Sequence, residues 1–336
     1  MTGDVEIPFR SLPPGFAELV PEEPAGSGEG APSDDDASSG GGGSSVGGDG
    51  PGAAPPRPTL EIQPARPAAT LVLLRPGRAP SSGAPPPAPE GAGLQVLLLR
   101  RSPGLSFVPG AWVFPGGGLE GADAGPGSRE ILGSLDLTEL ERSMRVPTDA
   151  PPPHAFLLAA YRETLEETGV LPAARGRAGG DAGPGTSVEL RQRLLAGEAD
   201  FQTLLHRAGI HLDGAEPLHL AHWVSPELEG RRYDTRFFAV LHTGDPNGSP
   251  QPGEGVELRW ITPDEALRLH HAGEFPLIFP TLATLKALAP FRTPGEVAAH
   301  FRRRPVRRIL PRLHRTSSGV RMVVDATATP ATIATP

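Results

Sequence analysis

Residues 154–168, HAFLLAAYRETLEET, constrain the fold more than any other stretch of the chain. Phe156, Leu157, Ala160, Tyr161 and Leu165 recur at helical spacing, and Gly169 stands where a left-handed helix cap belongs. A helix with this much apolar surface needs a sheet or further helices to cover it. Strand patterns supply the cover: ATLVLLR beginning near Ala68, LQVLLLRR at 94–101, and runs at 218–224, 233–242 and 256–261. Helices are predicted at about 187–196, with Ser187 as N-cap, and at 199–207, 263–271, 280–289 and 294–303. VRRILPRL and GVRMVVD read as a closing hairpin that turns at Ser317, Ser318 and Gly319. Strands alternate with helices, which gives the α/β (α+β) class.

Not all of the chain can take part. Hydrophobic residues make up 38 % of it, and its 43 glycines and 42 prolines are concentrated in a few stretches. Residues 21–58 contain one large aliphatic side chain, Val46, and cannot offset their own ordering entropy. The expected organisation is a disordered arm over 1–60, a folded domain over 61–325 and a short tail over 326–336. The Pro-rich connection at 76–93 is expected to be a loop between two strands of the domain.

The chain has no cysteine, so a metal would be held by oxygen or imidazole. A net charge of −8 argues against a nucleic-acid partner, and the basic run RRRPVRRILPRLHR at 302–315 reads as a strand with solvated flanks. No stretch of about 18 apolar residues suits a membrane span, Met1 opens no signal peptide, and ATIATP is not a peroxisomal ending. The expectation is a cytoplasmic protein with no membrane partner.

The helix at 154–168 also carries charge. Glu163 lies three residues from Glu166 and four from Glu167, so the three carboxylates share a face where they repel one another. A divalent cation would relieve that repulsion, and magnesium or manganese prefers such oxygen ligands. Arg162, four residues before Glu166, can orient that carboxylate. An ordinary solvated acidic helix is the alternative. WVFPGGGLEGAD at 112–123 adds a strand that runs into a glycine-rich turn, where backbone can approach a ligand closely.

These two segments resemble the Nudix hydrolase signature, G-x5-E-x7-R-E-U-x-E-E-x-G-U, with U a bulky aliphatic residue. Arg162, Glu163, Glu166, Glu167, Gly169 and Val170 match its second half, and Gly117 with Asp123 matches its first, Asp replacing Glu. Thr164 stands for one U, and 38 residues rather than seven separate Asp123 from Arg162. Within that insertion, about 124–153, SREILGSLDLTELERSMRV reads as helical, a structured excursion expected to lie beside the cleft. A second helical insertion is expected at about 185–210.

An interrupted box of this kind is similar to the nucleoside-diphosphate-linked moiety X motif 19 branch, the coenzyme A diphosphatases. RPAATLVLLR, PGAWVFPGG, RRYDTRFFAVL and FPTLATLKAL look like that branch, over roughly residues 65–325. Leu97, Leu98, Arg101, Ser102, Gly110 and Phe114 through Gly117 fit a coenzyme A signature, from which Leu99 and Ser106 depart.

The resemblance implies an α/β/α sandwich with a mixed sheet and metal-dependent hydrolysis of a nucleotide substrate at its pyrophosphate. It assigns Mg2+ or Mn2+ to Glu163, Glu166 and Glu167 with the backbone of Gly116 or Gly117, and gives Arg162 an orienting role. Glu163 and Glu257 are candidates for the general base, and Arg100, Arg101, Arg232 and Arg236 for phosphate contacts. Coenzyme A, acyl-coenzyme A, ADP-ribose and other dinucleotides all fit such a site. The histidines lack zinc-hydrolase spacing. A non-catalytic ligand sensor on the same fold is the rival of another class, distinguished by eroded glutamates.

Overall fold

The computed structural model describes residues 5–8, 63–77 and 93–324, apart from 107, 148, 177–179, 181–182, 228–230, 244–247, 303 and 318. The strands in chain order are β1 (Val5–Pro8), β2 (Arg66–Pro76), β3 (Leu94–Arg101), β4 (Trp112–Val113), β5 (Gly116–Gly118), β6 (Leu218–Val224), β7 (Tyr233–Leu241), β8 (Gly255–Ile261), β9 (Arg308–Ile309), β10 (Arg312–Arg315) and β11 (Gly319–Val323). The helices are α1 (Thr138–Met144), α2 (Pro153–Thr168), α3 (Pro184–Leu195), α4 (Phe201–Ala208), α5 (Pro263–His271), α6 (Phe279–Leu288) and α7 (Pro294–Phe301).

The main sheet runs β4-β3-β2-β7-β6-β9, with β5 paired to β2 and β8 to β3. β2 lies parallel to β7 and antiparallel to β3 and β5, so the sheet is mixed. Alternation along β2 sends Leu71 and Leu73 to one face and Val72 and Leu74 to the other, and both faces are buried. One face is covered by α1 to α4, the other by α5 to α7. Trp112 stacks on Phe275 at 4.3 Å on the second face. This is the expected three-layer sandwich.

Helix α2 is the centre of the first layer. Ala155 through Arg162 are all buried, and Gly169 closes the helix at φ 71°, which a glycine adopts without strain. The insertion before it folds into a 3-10 turn at Glu130–Leu132 and helix α1. Ile131, Leu132, Leu137, Leu140 and Met144 join the core around α2, so the excursion is part of the domain's packing.

Three expectations change. Residues 5–8 fall within the predicted arm, yet β1 pairs antiparallel with β11. The run at 306–313 is not one strand: β9 joins β6 in the main sheet, and only β10 forms the hairpin with β11. Ser187 is buried inside α3, whose N-cap is Gly183 ahead of Pro184 at the first helical position. The Pro-rich connection at 78–92 and the arm at 21–58 lie outside the described residues.

Candidate active site

The glycine turn and the carboxylate helix meet through β5. Pairing of Ala69 with Gly117 and Thr70 with Gly116 sets this short strand against β2, and α2 lies over it. The Gly116 N–H donates to Glu167 Oε2 at 3.0 Å. A Cβ on Gly117 would stand 2.5 Å from the Glu163 carboxyl carbon, so that carboxylate rests directly on the glycine backbone. A Cβ on Gly116 would strike the Ala69 carbonyl and Thr70 Cα. A side chain at Gly117 would have to displace the Glu163 carboxylate, and one at Gly116 would have to displace backbone.

Arg162 organises the rest. Its buried guanidinium donates to Asp123 Oδ1 and Oδ2 at 3.2 Å, Glu163 Oε1 at 2.9 Å, Glu166 Oε2 at 3.2 Å and the Gly118 carbonyl at 2.8 Å. Glu120 lies 3.5 Å away. Burial disfavours the charged guanidinium, but the Asp123 hydrogen bond and the surrounding carboxylates outweigh it and hold its pKa above the ordinary value. Asp123 is fully buried, accepts from the Glu120 N–H at 2.8 Å, and thereby fixes the turn at Gly121–Ala124. Gln202 on α4 braces the same turn, its Nε2 donating to the Ala122 carbonyl at 2.7 Å.

The negative charge here exceeds what Arg162 offsets. Burial, and then the charge of Glu163, push Glu167 up to about 8. Burial raises Glu166 to about 7 against the pull of Arg162, with Glu163, Glu120 and Glu254 adding to it. Glu163 is raised by burial, an effect Arg162 partly offsets. These are not carboxylates on a solvated face, where no such shifts arise.

Glu254, which the sequence reading did not single out, belongs to this cluster. It is exposed, its charge acts on Glu163, Glu166 and Glu167, and it follows a turn in which its N–H donates to the Gln251 carbonyl at 3.1 Å. The Ser102 N–H donates to its carbonyl at 2.8 Å, which ties the loop to the end of β3. Glu257 faces Arg100 across the β3–β8 pairing, an exposed pair 3.9 Å apart. Arg101 sits near enough to Glu167 to counter part of its rise.

Arg232 and Arg236 are elsewhere. Arg232 is buried and donates to the carbonyls of Gln63, Ser225 and Pro226. Arg236 is buried against the Phe156 ring, donates to His222 Nε2 at 2.6 Å and pairs with Asp234. Both guanidiniums are engaged by the protein's own groups.

A divalent cation is tested by the chemistry of the donor set. Hard carboxylate oxygens, glycine backbone that admits close approach, and an excess of negative charge fit Mg2+ or Mn2+. Among the described residues no three such groups converge on one point as they stand. Glu163 and Glu166 are turned to Arg162, and Glu167 to the Gly116 amide.

Comparison with known proteins agrees with this geometry. Residues 65–288 match the NUDT19 Nudix domain model. The chain is 32 % identical to the human acyl-coenzyme A diphosphatase NUDT19 over 264 residues, 67 % of this chain and 69 % of that protein. It is 32 % identical to the Gallus gallus protein of the same name over 66 % of this chain and 68 % of that one. A solved NUDIX hydrolase from Alicyclobacillus acidocaldarius superposes with a TM-score of 0.53 at 28 % identity, covering 71 % of this chain and 96 % of its own. The chain belongs to the Nudix hydrolases, in the branch that the NUDT19 Nudix domain defines. Among the described residues no helix is long and apolar enough to cross a membrane.

Proposed function

We propose that this protein hydrolyses the pyrophosphate of coenzyme A or an acyl-coenzyme A, giving 3',5'-ADP and (acyl-)4'-phosphopantetheine, with Mg2+ or Mn2+. The observation that carries the reading is the packing of Glu163 and Glu167 onto the Gly116–Gly117 backbone, with Glu166 and Arg162 beside them. Glu163, Glu166 and Glu167 would hold the cation. When bound, it would neutralise phosphate oxygens and lower the pKa of water. Arg162 orients Glu163 and Glu166 through its two hydrogen bonds and does not reach substrate. Arg101, at the end of β3 and near enough to Glu167 to counter part of its rise, binds phosphate oxygen, with Arg100 beside it. Glu254 takes the proton of the attacking water, since it is exposed, lies outside the helix and is near enough for its charge to act on Glu167.

The relatives named as acyl-coenzyme A diphosphatases favour coenzyme A as substrate. The test is kcat/KM for coenzyme A, two acyl-coenzyme A species, NADH and ADP-ribose with each metal. Coenzyme A or its acyl esters should lead by at least about tenfold, or ~1.4 kcal/mol of differential transition-state binding. A lead for ADP-ribose would assign the site to dinucleotides instead.

A further inference from the structure

Helix α2 ends at Thr168, and its last carbonyls need partners. The 249–251 loop supplies two, Ser249 N–H to the Thr168 carbonyl at 2.8 Å and Gln251 N–H to the Glu167 carbonyl at 2.9 Å. The Glu166 carbonyl receives Nε of Arg191, on α3, at 2.9 Å. The same guanidinium donates through Nη1 to the Ser249 carbonyl at 2.8 Å and Ser249 Oγ at 3.0 Å, and through Nη2 to Gln251 Oε1 at 3.2 Å. Gly169 leaves it room: a Cβ there would stand 3.0 Å from Nη1.

We propose that Arg191 is a positioning residue, the strut that fixes the loop carrying Glu254 against the helix carrying Glu166 and Glu167. Three observations converge on this. One planar fork reaches both elements at once, which a lysine ammonium cannot reproduce. The carbonyl of Gln251, whose side chain it holds, accepts the Glu254 N–H in the turn that leads into Glu254. The neighbouring Gly248 sits so tightly that a Cβ would meet the Thr168 carbonyl and, at 2.9 Å, both Leu258 and Val170, so the loop packs directly against the end of the helix. Arg191 comes from the helical insertion at 184–208, which gives that insertion a task in the reaction. The inference rests on the proposed place of Glu254 at the site.

The experiment is a double-mutant cycle on the full chain with Arg191→Ala, Arg191→Lys, Glu254→Gln and the combination of Arg191→Ala with Glu254→Gln. The readouts are kcat and KM for coenzyme A, the Mn2+ activation constant, and Tm for each protein. Arg191→Ala should lower kcat or weaken Mn2+ activation about 10- to 100-fold, the range typical of residues that hold ligating groups in place, with KM little changed. Arg191→Lys should recover only part of this. The double variant should fall no further than Glu254→Gln alone. Losses that multiply would show that Arg191 does not act through Glu254 and overturn the proposal. So would an Arg191→Ala protein in which both kcat and Mn2+ activation are normal, a result that leaves the role of Glu254 intact. A loss in Arg191→Ala that tracks Tm and vanishes on cooling would make Arg191 merely structural. If Glu254→Gln alone is fully active, the reading of Glu254 fails and the strut with it.

Discussion

Gly117→Ala isolates the geometry of the site from the stability of the fold. Its Cβ would lie 2.5 Å from the carboxyl carbon of Glu163 and 2.6 Å from both oxygens. Ordinary contact between carbon atoms begins near 3.5 Å, so the carboxylate must retreat by roughly 1 Å. Glu163 can do so, because the obstacle is the end of a flexible side chain and Gly117 has no positive φ to strain. A displacement of about 1 Å at a reacting centre can cost on the order of 100-fold, near 2.7 kcal/mol of barrier. The expected result is a kcat about 100-fold lower with Tm unchanged within a few degrees. Gly116→Ala is the control: its Cβ meets the Ala69 carbonyl and, at 2.7 Å, Thr70 Cα, backbone that cannot give way. That variant should lose about 1–3 kcal/mol of stability as β5 leaves β2. Coenzyme A hydrolysis assayed beside urea unfolding separates the two, and full kcat in a folded Gly117→Ala protein would refute the placement of Glu163.

Replacing residues 126–151 by a Gly-Ser linker should unfold the domain, since Ile131, Leu132, Leu137, Leu140 and Met144 leave the core together, on the order of 8–15 kcal/mol of burial; circular dichroism decides. Arg232→Ala should cost about 2 kcal/mol by stranding the buried Pro226 carbonyl while leaving KM for coenzyme A unchanged, whereas Arg101→Ala should raise KM. His219, pushed down to about 3 by burial and then by His222 and Arg236, stays neutral in the fold while the unfolded chain protonates below about pH 6.5. Its stabilising effect is therefore full above that pH and falls by up to ~1.4 kcal/mol per unit on the acid side. Urea unfolding between pH 6.5 and 5 should show a shallower slope in His219→Gln.

The carboxylate helix and the glycine turn were legible because each is local: periodicity, a capping glycine and three glutamates lie within 15 residues of one another. Glu254 was not, since GEGVELRW offers two glutamates and no spacing rule says which of them acts on the helix carboxylates. Arg232 and Arg236 read as candidates for phosphate contacts. Their burial depends on a carbonyl nest and on Asp234 and His222, contacts that no spacing rule encodes. β1 was missed because four residues carry no period, and its partner β11 lies more than 300 residues away.

The most direct test of the account follows products from coenzyme A by mass spectrometry while Mg2+ or Mn2+ is titrated into metal-stripped protein, wild type beside Glu167→Gln. The account predicts 3',5'-ADP and 4'-phosphopantetheine in equal amounts, in wild type only, rising with metal and abolished by chelation, while both proteins keep the same circular dichroism. Hydrolysis that survives chelation, or that proceeds undiminished in folded Glu167→Gln, would contradict it.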